Sequence, residues 1–320
     1  MARTRYATDR GLVARMGATM FMLGLVFTAF IVALLFLLFR YSSISSGGII
    51  FIAVLFGVAM TFGSYFYSDK IALSASGARL VSPQDGPDAA RLHAIVDRIC
   101  ALADMPKPRV AIAPTNMPNA FATGRNSKAA VVCATQGVLD GLDNEELEGV
   151  LAHEMSHVAH KDVAVMTIAS FLGIIAALLV RFAFYSELFG GGGRGRSNNN
   201  NQSAFPIILA IMAVSVVVYA ISFLLIRMLS RYRELSADRS GALLTGNPSA
   251  LASALQKVSG TIARIPTKDL RTAETLNAFY FAPALSARKG EFSLAGVFST
   301  HPSLERRLRE LDKVAKQLGR

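Results

Sequence analysis

A chain of 320 residues with 52% hydrophobic and only 17% charged residues is too apolar for an ordinary soluble domain, and it is long enough for several structural units. The formal net charge of +11 does not indicate a nucleic-acid-binding protein, because Lys and Arg flank apolar runs and do not alternate with aromatic residues. Cys100 and Cys133 form no CxxC pair, so neither a disulfide framework nor a cysteine-built metal site is indicated.

Four apolar runs each have roughly the 20 residues that a membrane-spanning helix needs. They occupy residues 17–39, 48–67, 163–185 and 204–229. Basic residues cluster before the first run, after the second, before the third and after the fourth. The positive-inside tendency therefore predicts that both termini and residues 68–162 face the cytoplasm. The Gly- and Asn-rich stretch 190–203 is predicted to be a flexible connector on the other side.

Between the second and third runs, the sequence predicts two helices and a small sheet. Apolar residues recur at helical spacing over 87–103, with a proline in the first turn. Short β-type runs at 109–113, 119–123 and 129–135 predict a small antiparallel sheet. Asp143 followed by Glu146 has the spacing of a capping box, so the second helix should begin near Asn144.

The stretch HEMSH, residues 153–157, lies on that second helix. His153 and His157 are then one turn apart on the same face, and both imidazoles can reach one metal ion. Glu154 lies beside them and can address a metal-bound water. This arrangement is typical of zinc metalloproteases, but the five-residue pattern also occurs by chance, so it becomes specific only with a third ligand.

The third ligand is predicted downstream of the fourth apolar run. His160 lies about two turns from His153, roughly 10 Å along the helix axis, which is too far for a shared ion. Glu234 in ELSAD begins another predicted helix and has Asp238 one turn later on the same face. Glu234 would complete a His, His, Glu site, and Asp238 would accept the other ring N–H of a ligating histidine, preferentially His153. Taken alone, the two carboxylates also fit an exposed helical face.

The remaining C-terminal residues are predicted to be largely helical. The helix that carries ELSAD should end at Gly246, Asn247 with Pro248 should open the next, and 302–318 should form a charged amphipathic helix. The chain thus divides into a membrane hairpin, a cytoplasmic region with HEMSH, a second hairpin and a second cytoplasmic region. These four regions are 1–67, 68–162, 163–229 and 230–320. Two hairpins would bring HEMSH and ELSAD to one cytoplasmic surface.

The ordered combination of motifs resembles the HtpX-type membrane zinc endopeptidases, which are relatives of the type I CAAX prenyl proteases. The resemblance rests on HEMSH with ELSAD, on NAFATG at 119–124, on THPSLERR at 300–307 and on the four apolar runs. It covers nearly the whole chain. The expected fold is a mainly α integral membrane protein, with four transmembrane helices and a cytoplasmic gluzincin-like metalloprotease domain that contains a small β-sheet.

The resemblance also implies roles for individual residues. One Zn²⁺ per chain would be bound by His153, His157 and Glu234. The general base would be Glu154. The substrate groove would be lined by Asn119, Ala120, Phe121 and Ala122. Substrate or the developing oxyanion would be held by His301 and Arg307.

The expected function is peptide-bond hydrolysis by zinc-activated water, with Glu154 as the general base. Pairing of a peptide with the NAFAT strand through backbone bonds gives little sequence preference, so unfolded or damaged proteins, including membrane proteins, are the expected substrates. The resemblance suggests protein quality control under stress at a bacterial inner membrane. The other expected partner is the lipid bilayer, and the sequence leaves the oligomeric state open.

The sequence leaves three alternatives open. A metal transporter would carry polar or broken segments in its spans, whereas these runs are almost purely apolar. A catalytically silent scaffold would not need Glu154, because a structural zinc site uses four protein ligands and no base. Prenyl-protein processing would need an enclosed apolar chamber, for which four spans are few. The segment 265–298 matches no motif, so substrate selection there is open.

Overall fold

The computed structural model describes residues 10–41, isolated positions between 55 and 63, and residues 65–126, 128–190, 205–264 and 301–319. The helices are α1 Arg10–Tyr41, α2 Ser68–Ser76, α3 Pro87–Ala103, α4 Gln136–Gly141, α5 Asn144–Ala159, α6 Asp162–Gly190, α7 Phe205–Thr245, α8 Pro248–Arg264 and α9 Leu304–Gln317. The strands are β1 Arg79–Leu80, β2 Arg109–Ala113, β3 Ala120–Thr123 and β4 Val131–Thr135. Most of the predicted run 48–67, nearly all of the predicted connector 190–203 and the segment 265–298 lie outside the described residues.

The chain forms two compact units. The first unit comprises Met1–Met16, Tyr65–Val165 and Ser230–Arg320, and the second comprises Gly17–Ser64 and Met166–Leu229. The first unit contains the sheet, the HEMSH helix and the ELSAD residues. The second contains the apolar parts of α1, α6 and α7.

The sheet is mixed, with the strand order β1-β2-β4-β3. Strand β4 is buried along its whole length and lies between β2, to which it is parallel, and β3, to which it is antiparallel. The prediction of an antiparallel sheet was therefore wrong for β2 and β4, which are parallel. The chain passes from β2 to the far side of β4 to form β3, and β4 returns between them in the direction of β2. As a result, β3 lies at an edge of the sheet.

The helices of the first unit pack around one apolar core. Helix α3 has the bounds predicted from its periodicity and buries Leu92, Val96 and Ile99 completely. Helix α8 contributes Leu251 to the same core. It packs closely on α5 there, because a Cβ added to Gly149 would lie only 3.2 Å from the Leu251 Cα. Full burial of each large aliphatic side chain contributes about 1.5–3 kcal/mol, so this core fixes α5 against its neighbours.

Helix α7 is continuous over 41 residues, from the apolar run into ELSAD and beyond. The prediction that a separate helix begins at Glu234 was wrong, because residues 207–240 contain neither Pro nor Gly and nothing interrupts the hydrogen-bond ladder. The predicted end at Gly246, with φ of 66°, and the new helix at Pro248 are confirmed. Helix α9 begins after Ser303, whose side chain accepts a hydrogen bond from Arg306 N–H.

Two described helices are long and apolar enough to cross a membrane, namely Val13–Ala33 within α1 and Leu209–Thr245 within α7. The pair Asn144–Ala159 and Asp162–Leu178 makes a third if it is counted as one broken span. In the second unit, large apolar side chains such as Phe21 and Ile168 are exposed by 67% and 66%. Such surfaces are stable in lipid.

Candidate metal centre

Helix α5 places HEMSH in the interior of the first unit. Its start is fixed by a complete capping box, in which Asp143 and Glu146 each accept the other's backbone N–H, at 2.9 and 3.0 Å. One turn of helix separates His153 from His157, and their Nε2 atoms lie 3.3 Å apart. The predicted common face of the two imidazoles is therefore present.

Glu234 of α7 joins the two histidines. Its Oε2 lies 3.6 Å from His153 Nε2 and its Oε1 lies 3.5 Å from His157 Nε2. Ligands bound at ~2.0–2.1 Å to one tetrahedral ion lie about 3.4 Å from each other, so these separations fit a shared ion. The three residues form a group that could hold a metal, with candidate ligand atoms all within 4.8 Å of one another.

Asp238, one turn after Glu234 on α7, contacts the other ring nitrogen of His153. His153 Nδ1 and Asp238 Oδ1 are 2.9 Å apart, so that Nε2 is directed toward Glu234. Arg307 of α9 donates to both oxygens of Asp238, from Nη2 at 2.6 Å and from Nε at 2.8 Å. The Arg307 side chain is only 1% exposed, so its charge is balanced inside the protein by Asp238.

His157 has a corresponding carboxylate that sequence reasoning missed. Its Nδ1 lies 2.5 Å from Asp162 Oδ2, and Arg233 Nη2 lies 2.6 Å from the same oxygen. Asp162 is five residues beyond His157, and this spacing places it on another face if the helix is assumed to continue. The only sequence signal was an aspartate at the start of the next apolar run.

Glu154 lies on the β3 side of α5. Its Oε2 accepts a 3.2 Å hydrogen bond from the backbone N–H of Ala122. Burial raises the pKa of the Glu154 carboxyl above its ordinary value. A carboxyl whose pKa is raised is a stronger base in its ionised form.

The predicted substrate strand is only partly directed toward this centre. Ala122 contacts Glu154 through its backbone, whereas Phe121 packs with Cys133 and other small residues in a separate apolar cluster. Asn119 precedes the strand, and its backbone N–H donates to Thr135 Oγ1 at 2.8 Å. Ala120 and Ala122 direct their backbone groups away from β4 and toward the outer edge of the sheet, where the Ala122 N–H meets Glu154.

His301 and Arg307 both reach the centre from the C-terminal segment. His301 Nδ1 lies 3.0 Å from Glu234 Oε2 and is buried. Arg307 Nη2 lies 3.4 Å from His153 Nδ1, behind the side that faces Glu234. The structure thus gathers the predicted residues His153, Glu154, His157, Glu234, Asp238, His301 and Arg307 into one cluster.

Gly241 permits the close approach of the two ligand-bearing helices. A Cβ added there would lie 2.9 Å from the backbone nitrogen of His153 and 3.2 Å from its Cα. Real Cβ atoms do not tolerate the shorter of these contacts. Glycine at this position therefore sets how near α7 can bring Glu234 to His153.

Two histidines one turn apart, a neighbouring glutamate and a carboxylate from a second helix define a metallopeptidase centre, here in a chain with apolar helices of membrane-spanning length. The chain belongs to Peptidase family M48, whose model matches residues 87–315. It is an integral membrane metallopeptidase, and the family implies a metal cofactor.

Related chains extend the match to nearly the whole length. The chain is 55% identical to Protease HtpX homolog 1 of Streptomyces coelicolor over 318 residues, which cover 99% of this chain and 97% of the relative. It is 47% identical to a Protease HtpX homolog of Moorella thermoacetica, with 99% of this chain and 98% of the relative covered. The crystal structure of S. mikatae Ste24p matches with a TM-score of 0.50 at 18% identity, over 95% of this chain and 67% of that chain. The predicted resemblance is confirmed, and the Ste24p match shows a shared fold.

Proposed function

We propose that this chain is a zinc-dependent membrane endopeptidase in which His153, His157 and Glu234 bind one zinc ion and Glu154 is the general base. The observation that carries the proposal is the convergence of two Nε2 atoms and the Glu234 carboxylate at mutual distances of 3.3, 3.5 and 3.6 Å. Two imidazoles and one carboxylate are the protein ligands of many catalytic zinc sites, which leave one position open. Zinc at these ligands would act as a Lewis acid, acidifying water and polarising the scissile carbonyl.

Glu154 supplies the proton transfers. Its carboxylate takes a proton from the attacking water and later gives it to the leaving amine. Burial raises its pKa, which makes the carboxylate a stronger base toward the attacking water. The hydrogen bond from Ala122 N–H holds one carboxylate oxygen, so the other is available for the proton.

The proposed substrate groove lies along the outer edge of β3. Because the Ala122 N–H is bonded to Glu154, an extended peptide would pair as an added strand with the outward-facing backbone groups of Ala120 and with the Ala122 carbonyl. Pairing through the backbone favours unfolded segments over particular sequences, so unfolded or damaged proteins, including membrane proteins, are the substrates. Asn119 and Phe121 support the strand from its start and from the opposite face.

His301 and Arg307 divide the role that the resemblance gives to both. His301 lies beside Glu234 and is the proposed donor to substrate or to the tetrahedral oxyanion. Arg307 is engaged by both oxygens of Asp238, so its contribution runs through Asp238 and His153. In this role Arg307 is a positioning residue.

The membrane arrangement completes the proposal. Four spans, with the regions 1–67, 68–162, 163–229 and 230–320, would place the catalytic regions in the cytoplasm at a bacterial inner membrane. The basic residues that flank the apolar runs support this orientation. Stress-related quality control of membrane proteins is the corresponding biological role.

The test is cleavage of an unfolded model protein by zinc-loaded, detergent-purified protein, with Glu154→Gln beside the wild type. We expect the variant to bind zinc as the wild type does and to lose at least about a hundredfold in cleavage rate. Glu148→Gln is the matched control, because Glu148 is a buried glutamate of the same helix that pairs with Arg98 and not with the metal ligands. If zinc-loaded wild type cuts neither unfolded nor membrane-protein substrates, the proposal is wrong.

A further inference from the structure

The two histidine ligands are supported in the same way from two different places. His153 Nδ1 faces Asp238, which Arg307 holds, and His157 Nδ1 faces Asp162, which Arg233 holds. Asp238 lies on α7 and Arg307 on α9. Asp162 is the first residue of α6, and Arg233 lies on α7 just after its apolar run.

We infer that Asp162 and Arg233 are positioning residues that hold His157 ready to bind the metal. This inference rests on the proposed function, because it takes His157 to be a metal ligand. A ligating histidine is effective when its second ring nitrogen donates to a carboxylate, because this fixes the tautomer and the ring orientation. The 2.5 Å separation between His157 Nδ1 and Asp162 Oδ2 meets that requirement and leaves Nε2 directed at Glu234.

The backbone between the two residues is built to make this contact. Helix α5 ends at Ala159, and Lys161 adopts a left-handed conformation with φ of 56°. In an uninterrupted helix, a residue five positions after His157 would lie about 140° around the axis from it. The reversal at Lys161 turns Asp162 back toward the imidazole. A non-glycine residue in this conformation is costly and persists where the surroundings require it.

Arg233 holds the Asp162 carboxylate, which accepts the hydrogen bond from His157, in place. Its Nη2 donates at 2.6 Å to the same Asp162 oxygen that faces the imidazole, and only 3% of Asp162 is exposed. A buried aspartate that is held by a cation stays ionised and stays in place. Asp162 can then keep one orientation while His157 exchanges metal.

The experiment measures metal binding by the full-length, metal-free protein in detergent. Zinc affinity is determined by competition with a chromogenic chelator, and the visible spectrum of bound Co²⁺ reports ligand geometry. We expect Asp162→Asn to weaken zinc binding about 10–100-fold and to change the Co²⁺ spectrum. Asp69→Asn is the matched control, because Asp69 also pairs with an arginine, Arg109, at 2.6 Å but away from the centre, and it should bind zinc as the wild type does.

A second variant separates positioning from folding. Asp162→Asn leaves Arg233 buried without its anion, so we combine it with Arg233→Gln, which removes the uncompensated charge. The double variant should regain thermal stability and keep the weakened zinc affinity. If either variant binds zinc with wild-type affinity and gives the wild-type Co²⁺ spectrum, Asp162 is not a positioning residue, although the proposed function stands. If the wild type itself binds no zinc, both proposals fail.

Discussion

The two compact units of this chain treat charge and apolar surface in opposite ways. In the first unit, the bulkiest of the fully buried side chains is the guanidinium-bearing Arg307, and its partner Asp238 is likewise inaccessible. In the second unit, large apolar side chains such as Phe21 and Ile168 face outward, and the hydroxyls of Ser215 and Ser222 are buried without a hydrogen-bond partner among the described residues. The first unit follows the rules of a protein in water, and the second follows those of a protein in lipid.

This difference follows from the solvents of the two units, which are water for the first and lipid for the second. Around the metal centre, buried charges come in pairs because an isolated one would be costly in a low dielectric. On the second unit, the outer surface needs no polar groups, because the helices satisfy their own backbone hydrogen bonds.

Arg307→Met should have the largest effect on stability. The methionine retains much of the side-chain bulk but leaves Asp238 buried without a cation, which costs about 3–5 kcal/mol of unfolding free energy. Thermal or denaturant unfolding of the detergent-purified protein measures it. Arg309→Met, on the exposed face of the same helix, should change stability little. Unchanged stability in Arg307→Met with a loss of cleavage would instead favour a direct role for Arg307 at the substrate.

Phe21→Asp should change membrane integration by a comparable amount. Phe21 is exposed in the apolar stretch Val13–Ala33, and replacing Phe by Asp near the middle of a spanning helix costs about 3 kcal/mol of insertion free energy. Alkaline extraction of membranes reports the fraction that remains inserted. Leu80→Asp provides the comparison, because Leu80 is a half-exposed apolar residue of the first unit and its replacement should leave extraction unchanged. Equal effects of the two substitutions on extraction would contradict the conclusion that the second unit faces lipid and the first faces water.

Gly241→Ala should separate the helices that carry the proposed metal ligands. The new methyl group would lie 2.9 Å from the His153 backbone nitrogen, and relief of this overlap costs about 1–3 kcal/mol. Zinc affinity should fall as well, because α7 moves Glu234 away from α5. Gly260→Ala in α8 would place a Cβ more than 4 Å from its neighbours in the described part of the chain and should stabilise the protein by about 0.5–1 kcal/mol. A destabilised Gly241→Ala variant with normal zinc affinity would show that the centre adapts to the separation.

Glu146→Gln should have the smallest and the most pH-dependent effect. Although burial alone would raise the pKa of Glu146, hydrogen bonds from Lys257, Ser253 and the Asp143 N–H lower it below the ordinary value. The stabilisation is therefore complete above the unfolded pKa and is lost as the pH falls through the lower folded pKa. We expect Glu146→Gln to cost about 1 kcal/mol at pH 7 and the same down to the unfolded pKa, and to cost less as the pH falls further. A difference that grows on acidification would contradict this sign.

Sequence patterns predicted the features that depend on near neighbours in the chain. The common face of His153 and His157 follows from helical spacing, and the start of α5 follows from the local pair Asp143 and Glu146. The bounds of α3 and the stop at Gly246 likewise depend on a few adjacent residues. Glu234 and Asp238 were predicted because their spacing on one helix suits a ligand and its partner.

The features that the sequence did not predict depend on distant pairings. The parallel contact of β2 with β4 is decided by the path of β3, which no periodicity encodes. The contact of Asp162 with His157 depends on a reversal at Lys161. The continuity of α7 was missed because a change from apolar to charged residues is not itself a helix breaker.

The origin of the metal centre in separate parts of the chain has a consequence for biosynthesis. His153 and His157 leave the ribosome first, Glu234 follows only after the third and fourth apolar runs, and Arg307 comes later on α9. A nascent chain therefore holds two histidines without their third partner until α7 is made. Asp238 gains its hydrogen bonds from Arg307 later still, when α9 folds. The full set of contacts among His153, Glu234, Asp238 and Arg307 can therefore form only after α9 has been synthesised.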